Sequence, residues 1–163
     1  MSTPPPIVFV KLGGSVITVK TEPQTPRPEV IARLAGEIAA ALSTAPGAAS
    51  RPKEGASLVV GHGSGSFGHP VAQRYGTHRG VRPPAGWRGF AHVAATAAHL
   101  SRLVADALLD AGVPVWALQP SASALCRGGE LISLDTAPVE AALASLQRAL
   151  DEHPGLLEAT CAR

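Results

Sequence analysis

Two glycine-rich segments, each placed directly after a short apolar run, constrain the fold of this chain more than any other feature of its sequence. Ile7–Leu12 and Leu58–Gly61 are rich in β-branched residues and short enough to be buried strands of a parallel sheet. The sequences GGS and GSGSFG follow them, at Gly13–Ser15 and Gly63–Gly68. Ligands of open α/β sheets bind at the carboxyl ends of the strands, so both glycine turns are predicted to lie at a binding edge.

The spacing of apolar residues predicts an α/β architecture for the whole chain. After the first strand, the predicted elements are helix Glu29–Leu42, strand Leu58–Gly61, a short helix from about His69, helix Phe90–Ala111, strand Val113–Pro120, a short strand Leu131–Leu134 and helix Pro138–Leu150. Gly112 ends the long helix, whose inward stripe includes Phe90 and Leu100, and Asp135 or Thr136 can cap the last helix. This alternation predicts a three-layer αβα sandwich with a mostly parallel sheet.

Composition excludes several classes of function. The 163 residues suffice for a single domain, and a net charge of +2 is too small to indicate nucleic-acid or membrane binding. The two cysteines, Cys126 and Cys161, are too few for a disulfide framework and are expected to be reduced thiols of a cytoplasmic protein. Residues 1–6 are expected to be disordered and have no signal-peptide pattern, and residues 151–163 follow no strand pattern.

The glycine turns admit two interpretations. Glycine lets the backbone approach an oxyanion closely, and successive N–H groups then form an anion-binding concavity. Neither turn matches the GxxxxGK[ST] nucleotide-binding pattern, and Gly63–Gly68 lacks the acidic residue that a dinucleotide fingerprint places about 20 residues further on. The turns are therefore either two phosphate-binding turns that face each other across one crevice, or ordinary strand-to-helix turns with close packing.

Basic side chains near the turns favour the phosphate interpretation. Lys11 lies at the end of an apolar strand, where a lysine is unfavourable unless it points at an anion, and Lys20 could reach the same charge. His69, at the expected start of a helix, could donate a hydrogen bond to phosphate, although a histidine that caps a turn has the same spacing. No metal site is predicted. The remaining histidines of this part of the chain are interpreted as turn, packing or polar-face residues: His62, His92 and His99.

Several segments together resemble the isopentenyl phosphate kinases of the amino acid kinase superfamily. The segments that carry the resemblance are Val8–Lys20, Val59–Gly76, Gly89–Phe90, Ala111–Ala122 and Leu134–Leu143, and GSGSFGHP within the second is the most specific of them. The resemblance is collinear from Ile7 to about Leu143 and implies the αβα fold of the amino acid kinases. It fades from about Ala144, so the chain is expected to be a single partial domain over residues 1–163, with the C-terminal nucleotide-binding half missing.

The resemblance implies ATP-dependent phosphorylation of isopentenyl phosphate, a small-molecule substrate, to isopentenyl diphosphate in isoprenoid biosynthesis. It assigns catalytic roles to Lys11, Lys20 and His69. The implied ATP-phosphate contacts are Lys11, Gly13, Gly14 and Ser15, and the implied substrate contacts are Gly63, Ser64, Gly65, Gly68, His69 and Phe90. Mg²⁺ would be carried with ATP rather than held in a dedicated protein site, and a homodimer is the common assembly of the family.

Two features depart from the family pattern. Ser64 stands where the family often has glycine or alanine, but its backbone N–H is retained. The second departure is the missing C-terminal half. Because it shortens the parallel sheet, an unpaired strand edge and an apolar face are expected to be exposed. The alternatives left open are another small-molecule kinase of the superfamily, a non-catalytic fragment that binds a phosphate ligand without ATP, and a fragment with no stable fold of its own.

Overall fold

The first two strands pair as a parallel sheet, as their sequences predict. The computed structural model describes residues 7–43, 57–81 and 84–152 of the chain. In chain order, the described elements are β1 (Ile7–Leu12), α1 (Gly14–Ile17), α2 (Pro28–Ser43), β2 (Ser57–His62), α3 (Gly65–Tyr75), α4 (Ala85–Asp110), β3 (Leu125–Arg127), β4 (Glu130–Ser133) and α5 (Ala137–Glu152). The register of β1 and β2 places Leu12 opposite His62, so the two glycine turns leave the sheet side by side.

The core lies between one face of this sheet and the helices α2, α3 and α4. Leu100, Val104 and Leu108 recur at the spacing of one helical turn on α4 and are at least 95% buried, because they pack onto the inner face of the sheet and onto Phe67. The opposite face of β1 is open, with Phe9 64% exposed. The expected exposed apolar face is thereby confirmed for β1.

The predicted helices are confirmed, with changed limits. α4 begins at Ala85, five residues before the predicted start at Phe90, and Phe90 is 45% exposed rather than part of the inward stripe. Gly112 ends this helix with a φ of +82°, and its N–H donates to the carbonyl of Leu109 while the next N–H donates to Leu108. This hydrogen-bond pair is the Schellman arrangement that glycine favours at a helix C-terminus.

The predicted strand Val113–Pro120 is wrong. The structure assigns no strand there, and Pro120 begins a short 3₁₀ turn instead. Val113 and Val115 pack against the core, whereas Trp116 is 64% exposed, so the alternation of a strand is present without its hydrogen-bond ladder. A strand needs a neighbour to satisfy its backbone groups, and no other strand of the described residues lies beside this segment.

A β-hairpin follows this segment and was only half predicted. β4 corresponds to the predicted strand Leu131–Leu134, but its partner β3 was missed. Gly128 and Gly129 connect the two strands with φ values of +62° and +90°, which is the backbone of a two-residue hairpin turn. The Gly-Gly pair between two short runs was the sequence signal for this hairpin.

The cap predicted for the last helix is confirmed. The Asp135 carboxylate accepts a hydrogen bond of 3.0 Å from the backbone N–H of Ala137, and the Thr136 hydroxyl donates to Glu140 at 2.8 Å. The Asp135 bond satisfies one of the backbone N–H groups that have no helical partner at the first turn of α5. The Thr136 bond fixes the Glu140 side chain at the same turn.

Some expectations concern residues outside the described ranges, namely residues 1–6, Cys161 and the tail beyond Glu152. Within the described ranges, Cys126 is a free, exposed thiol, and no helix has both the length and the apolar character that a membrane span requires.

Candidate functional site

The first glycine turn closes into a single helical turn rather than a loop. The Gly13 carbonyl accepts from the N–H of Val16 at 2.9 Å and of Ile17 at 3.2 Å, and the Gly14 carbonyl accepts from Thr18 at 3.0 Å. Ile17 is fully buried and fixes this turn to the core. The backbone N–H groups of Gly14 and Ser15, at the start of the turn, donate to no hydrogen-bond acceptor among the described residues.

The second glycine turn begins α3 four residues earlier than predicted. The helix starts at Gly65 with Ser64 preceding it, so His69 lies one turn inside the helix and not at its start. Pro70 also lies inside the helix, where it has no N–H to donate to the Ser66 carbonyl. That carbonyl accepts instead from the backbone N–H of Gln24 at 3.0 Å, which ties the segment after α1 to α3.

The two glycine turns lie in direct backbone contact. A Cβ atom on Gly14 would lie 2.5 Å from the Gly65 nitrogen and 2.7 Å from its Cα, and a Cβ on Gly63 would lie 2.8 Å from the Gly14 nitrogen. Gly65 also has a φ of +49°, which side chains other than glycine rarely adopt. The structure therefore brings the two predicted turns together and explains why neither can carry side chains at these positions.

Thr18 joins the two turns and was missed by the sequence analysis. Its side chain is fully buried, and its hydroxyl donates to the Gly14 carbonyl at 2.7 Å and accepts from the Ser66 N–H at 3.0 Å. A buried hydroxyl is tolerated only when it is hydrogen-bonded, and this one bonds one group of each turn. No sequence signal marked it, because a threonine in an apolar run resembles an ordinary β-branched core residue.

The second turn leaves two backbone donors free. The Gly63 N–H donates to the Leu12 carbonyl at 2.9 Å and so extends the sheet, which engages one of the backbone N–H groups of this turn. The N–H groups of Ser64 and Gly65 have no hydrogen-bond partner within the described residues, as is usual for the first positions of a helix. Gly68 is buried against Ser64, where a Cβ would lie 2.8 Å from the serine Oγ.

His69 is exposed beside these donors. Its Nδ1 lies 3.0 Å from the Gly65 carbonyl oxygen. Since a carbonyl only accepts, Nδ1 carries the proton of this bond, and Nε2 has no hydrogen-bond partner among the described residues. A neutral His69 therefore presents a lone pair at Nε2, and the imidazolium presents a donor.

The remaining predicted site residues are all solvent-accessible. Lys11 lies on the open face of β1 and Lys20 follows the first turn, and neither forms an ion pair with the described acidic residues. The prediction that Lys11 is in an unfavourable apolar position is therefore wrong, because its strand face is open. Ser15 is exposed on α1, and Phe90 on α4 lies edge-on to Trp87 with ring centroids 5.8 Å apart.

His62 has a more specific role than the sequence indicated. Its Nε2 lies 2.8 Å from the Ser101 hydroxyl on α4, and its Nδ1 lies 3.3 Å from the Gly63 carbonyl. The two histidines of α4 named above pack beside aromatic rings: His99 is edge-on to Phe67, and His92 stacks on Tyr75. Within the ranges that the structure describes, no three His, Cys, Asp or Glu side chains cluster in a way that could hold a metal ion.

The chain belongs to the amino acid kinase family, since residues 6–153 match the model of that family. It is 35% identical over 135 residues to isopentenyl phosphate kinase of Methanothermobacter thermautotrophicus, a match that covers 79% of this chain and 46% of that protein. It is 27% identical over 139 residues to isopentenyl phosphate kinase of Methanocaldococcus jannaschii, covering 82% of this chain and 50% of that protein.

Solved structures agree with this assignment. An isopentenyl phosphate kinase solved by X-ray methods matches with a TM-score of 0.70 at 32% identity, over 85% of this chain and 54% of that chain. The product complex of T. acidophilum isopentenyl phosphate kinase matches with a TM-score of 0.66 at 26% identity, over 86% of this chain and 51% of that chain. The α/β amino acid kinase fold is therefore confirmed, and the chain spans about half the length of the relatives it matches.

Proposed function

We propose that this chain carries the substrate-phosphate site of an isopentenyl phosphate kinase, which transfers the γ-phosphoryl group of ATP to isopentenyl phosphate and releases isopentenyl diphosphate and ADP. The observation that carries the proposal is the pair of N–H groups on Ser64 and Gly65 that have no partner in the described part of the chain, with His69 one helical turn away. The relatives named isopentenyl phosphate kinase, at up to 35% identity, support the choice of substrate.

On the substrate side, the Ser64 and Gly65 N–H groups would donate to the phosphate oxygens at the start of α3, where the helix dipole also favours an anion. His69 would donate from Nε2 as an imidazolium, because its Nδ1 proton is already engaged by Gly65. Gly63 and Gly68 would contribute by lacking a side chain, because a Cβ at either position would collide with neighbouring atoms of the turns. The exposed Phe90 would border the isoprenoid tail.

On the nucleotide side, Gly13, Gly14 and Ser15 would contact the ATP phosphates through the backbone of the first turn, together with Lys11. Lys20 would neutralise charge on the transferring phosphoryl group. Phosphoryl transfer depends mainly on positioning and on such neutralisation, which suits two glycine turns held in contact. Mg²⁺ would be carried with the nucleotide, whose phosphate oxygens are among its preferred ligands. The cytoplasm as location and a homodimer as assembly belong to the same proposal.

The proposal is tested by titrating the 163-residue chain with isopentenyl phosphate in a calorimeter and by following ADP release in a coupled assay. We expect His69→Ala to weaken isopentenyl phosphate binding by about 10- to 100-fold, as for the loss of a hydrogen bond to a charged group. The matched control is His78→Ala, an exposed histidine of the 3₁₀ turn after α3, which should bind as wild type does.

The two readouts separate the candidate functions. Binding with turnover supports the kinase. Binding without turnover assigns the chain to the alternative, a module that binds a phosphate ligand without catalysing transfer. Unchanged affinity in His69→Ala contradicts the role of His69, and no binding in the wild type contradicts the substrate assignment.

A further inference from the structure

We propose that His62 is a positioning residue that aims the Ser64 N–H at the substrate phosphate, through the hydrogen bond between His62 and the Gly63 carbonyl. The inference rests on the proposed function, since it concerns a donor of the same site. Its starting observation is that the two free donors of the second turn, Ser64 and Gly65, are held in place by different means.

The hydrogen bonds of His62 define its tautomer. The Gly63 carbonyl, 3.3 Å from Nδ1, can only accept, so Nδ1 bears the proton. Nε2 then accepts from the Ser101 hydroxyl, which lies 2.8 Å away on α4. The half-buried ring thus lies between α4 and the glycine turn, with one bond to each.

The bond to Gly63 fixes the direction of the next N–H. A trans peptide is planar, so the Gly63 carbonyl and the Ser64 N–H point in opposite directions. While His62 holds the carbonyl on its own side, the Ser64 N–H is directed away from His62. Without that bond, no hydrogen bond to the carbonyl would fix the plane of this peptide. Its direction would depend on the φ and ψ of Gly63, which glycine permits to vary more than other residues, and on the packing of the turn against Gly14.

The neighbouring peptides of the turn have other anchors. The Ser64 carbonyl accepts from the N–H groups of Phe67 at 3.0 Å and Gly68 at 3.3 Å, so helix bonds fix the direction of the Gly65 N–H. The Gly65 carbonyl is held by His69. Of the two free donors, only the Ser64 N–H therefore depends on a side chain outside α3.

Two substitutions separate this role from simple tethering of α4 to β2. In His62→Asn, the amide nitrogen stands where Nδ1 was and can still donate to Gly63, but the bond to Ser101 is lost. In His62→Gln, the longer side chain can reach Ser101 in place of Nε2, but the bond to Gly63 is lost. We expect isopentenyl phosphate affinity within about twofold of wild type for His62→Asn and roughly tenfold weaker for His62→Gln.

A spectroscopic measurement completes the test and does not depend on the identity of the ligand. Imidazole ¹⁵N shifts of the free protein should report the Nδ1–H tautomer of His62. Inorganic phosphate should shift the Ser64 and Gly65 amide signals in the wild type, and only the Gly65 signal in His62→Gln. That pattern supports the positioning role even if isopentenyl phosphate fails to bind, in which case the substrate assignment alone is wrong.

Several results would overturn the inference. These are an Nε2–H tautomer of His62, equal affinity losses in both variants, a loss confined to His62→Asn, and a Ser64 amide signal that neither phosphate nor isopentenyl phosphate shifts in the wild type. If His62→Gln does not fold, an Nδ1–H tautomer together with a phosphate-dependent Ser64 shift in the wild type supports the inference, and the absence of either overturns it.

Discussion

The glycine turns and the segment at residues 113–134 differ in how their apolar and polar residues are used. In the turns, Ile17, Thr18 and Phe67 are fully buried, and the backbones of the two turns touch. In the later segment, Trp116 is 64% exposed and Leu131 is 60% exposed. The apolar content of a segment therefore does not by itself predict whether its side chains are buried, because burial requires a second element placed opposite the first.

The largest expected effect compares the same substitution in the two regions. Leu100→Ala removes a fully buried side chain and should lower the free energy of unfolding by about 3 kcal/mol, through lost transfer energy and a cavity. Leu131→Ala, on the exposed hairpin, should change it by less than about 0.5 kcal/mol. Urea denaturation of both variants measures the difference, and equal losses would mean that another surface covers the hairpin in solution.

A second comparison concerns the contact between the turns. Gly14→Ala should lower the free energy of unfolding by roughly 2–3 kcal/mol, because its Cβ would meet backbone atoms of Gly65 that cannot yield as a side chain can. Gly36→Ala is the matched control on α2, where a Cβ would meet nothing within 4 Å. This control should stabilise the protein by up to about 1 kcal/mol through helix propensity. Thermal unfolding of both variants checks the prediction, and a neutral Gly14→Ala would show that the turns are apart in solution.

A third and smaller effect is expected for Thr18. Thr18→Val keeps the shape but deprives the Ser66 N–H of its acceptor, which should lower the free energy of unfolding by about 1–2 kcal/mol. Thr21→Val, at an exposed position of the same segment, should stay within about 0.5 kcal/mol of wild type. Faster amide hydrogen exchange at Ser66 in Thr18→Val, measured by NMR, would locate the loss at the junction of the turns. Unchanged exchange there would argue against the bridging role of Thr18.

Local patterns in the sequence predicted much of the fold. The apolar runs of β1 and β2, the helical spacing of α2 and α4 and the glycine after α4 each act through neighbouring residues, so they could be recognised without coordinates. The start of α4 was missed because its first turns contain Gly86 and Gly89, which resemble a loop. A Cβ on Gly89 would lie 2.5 Å from the ring of Tyr75 on α3, so that glycine reflects a helix contact and not a turn.

The candidate site was predicted in its location and only partly in its details. The sequence predicted that both glycine turns and His69 lie together, because strand ends, glycines and a histidine are visible as a pattern, and the structure brings them together. The engagement of the Gly63 N–H by Leu12 was not visible, since it depends on the register between β1 and β2. Thr18 and the contacts of His62 were missed for the same reason, because their partners lie far away in the sequence.

The sequence by itself determined that two short strands end in glycine turns and that helices follow them, since such preferences are set by φ and ψ freedom and by the period of apolar residues. Only the tertiary structure decided which backbone N–H groups remain without a partner among the described residues and which side chains fix the direction of those groups. The turns meet within hydrogen-bond distance through Thr18, and α4 reaches the second turn through Ser101 and His62. The Thr18–Ser66 and His62–Ser101 bonds join residues 48 and 39 positions apart, and their geometry follows from packing around a shared core rather than from any local pattern.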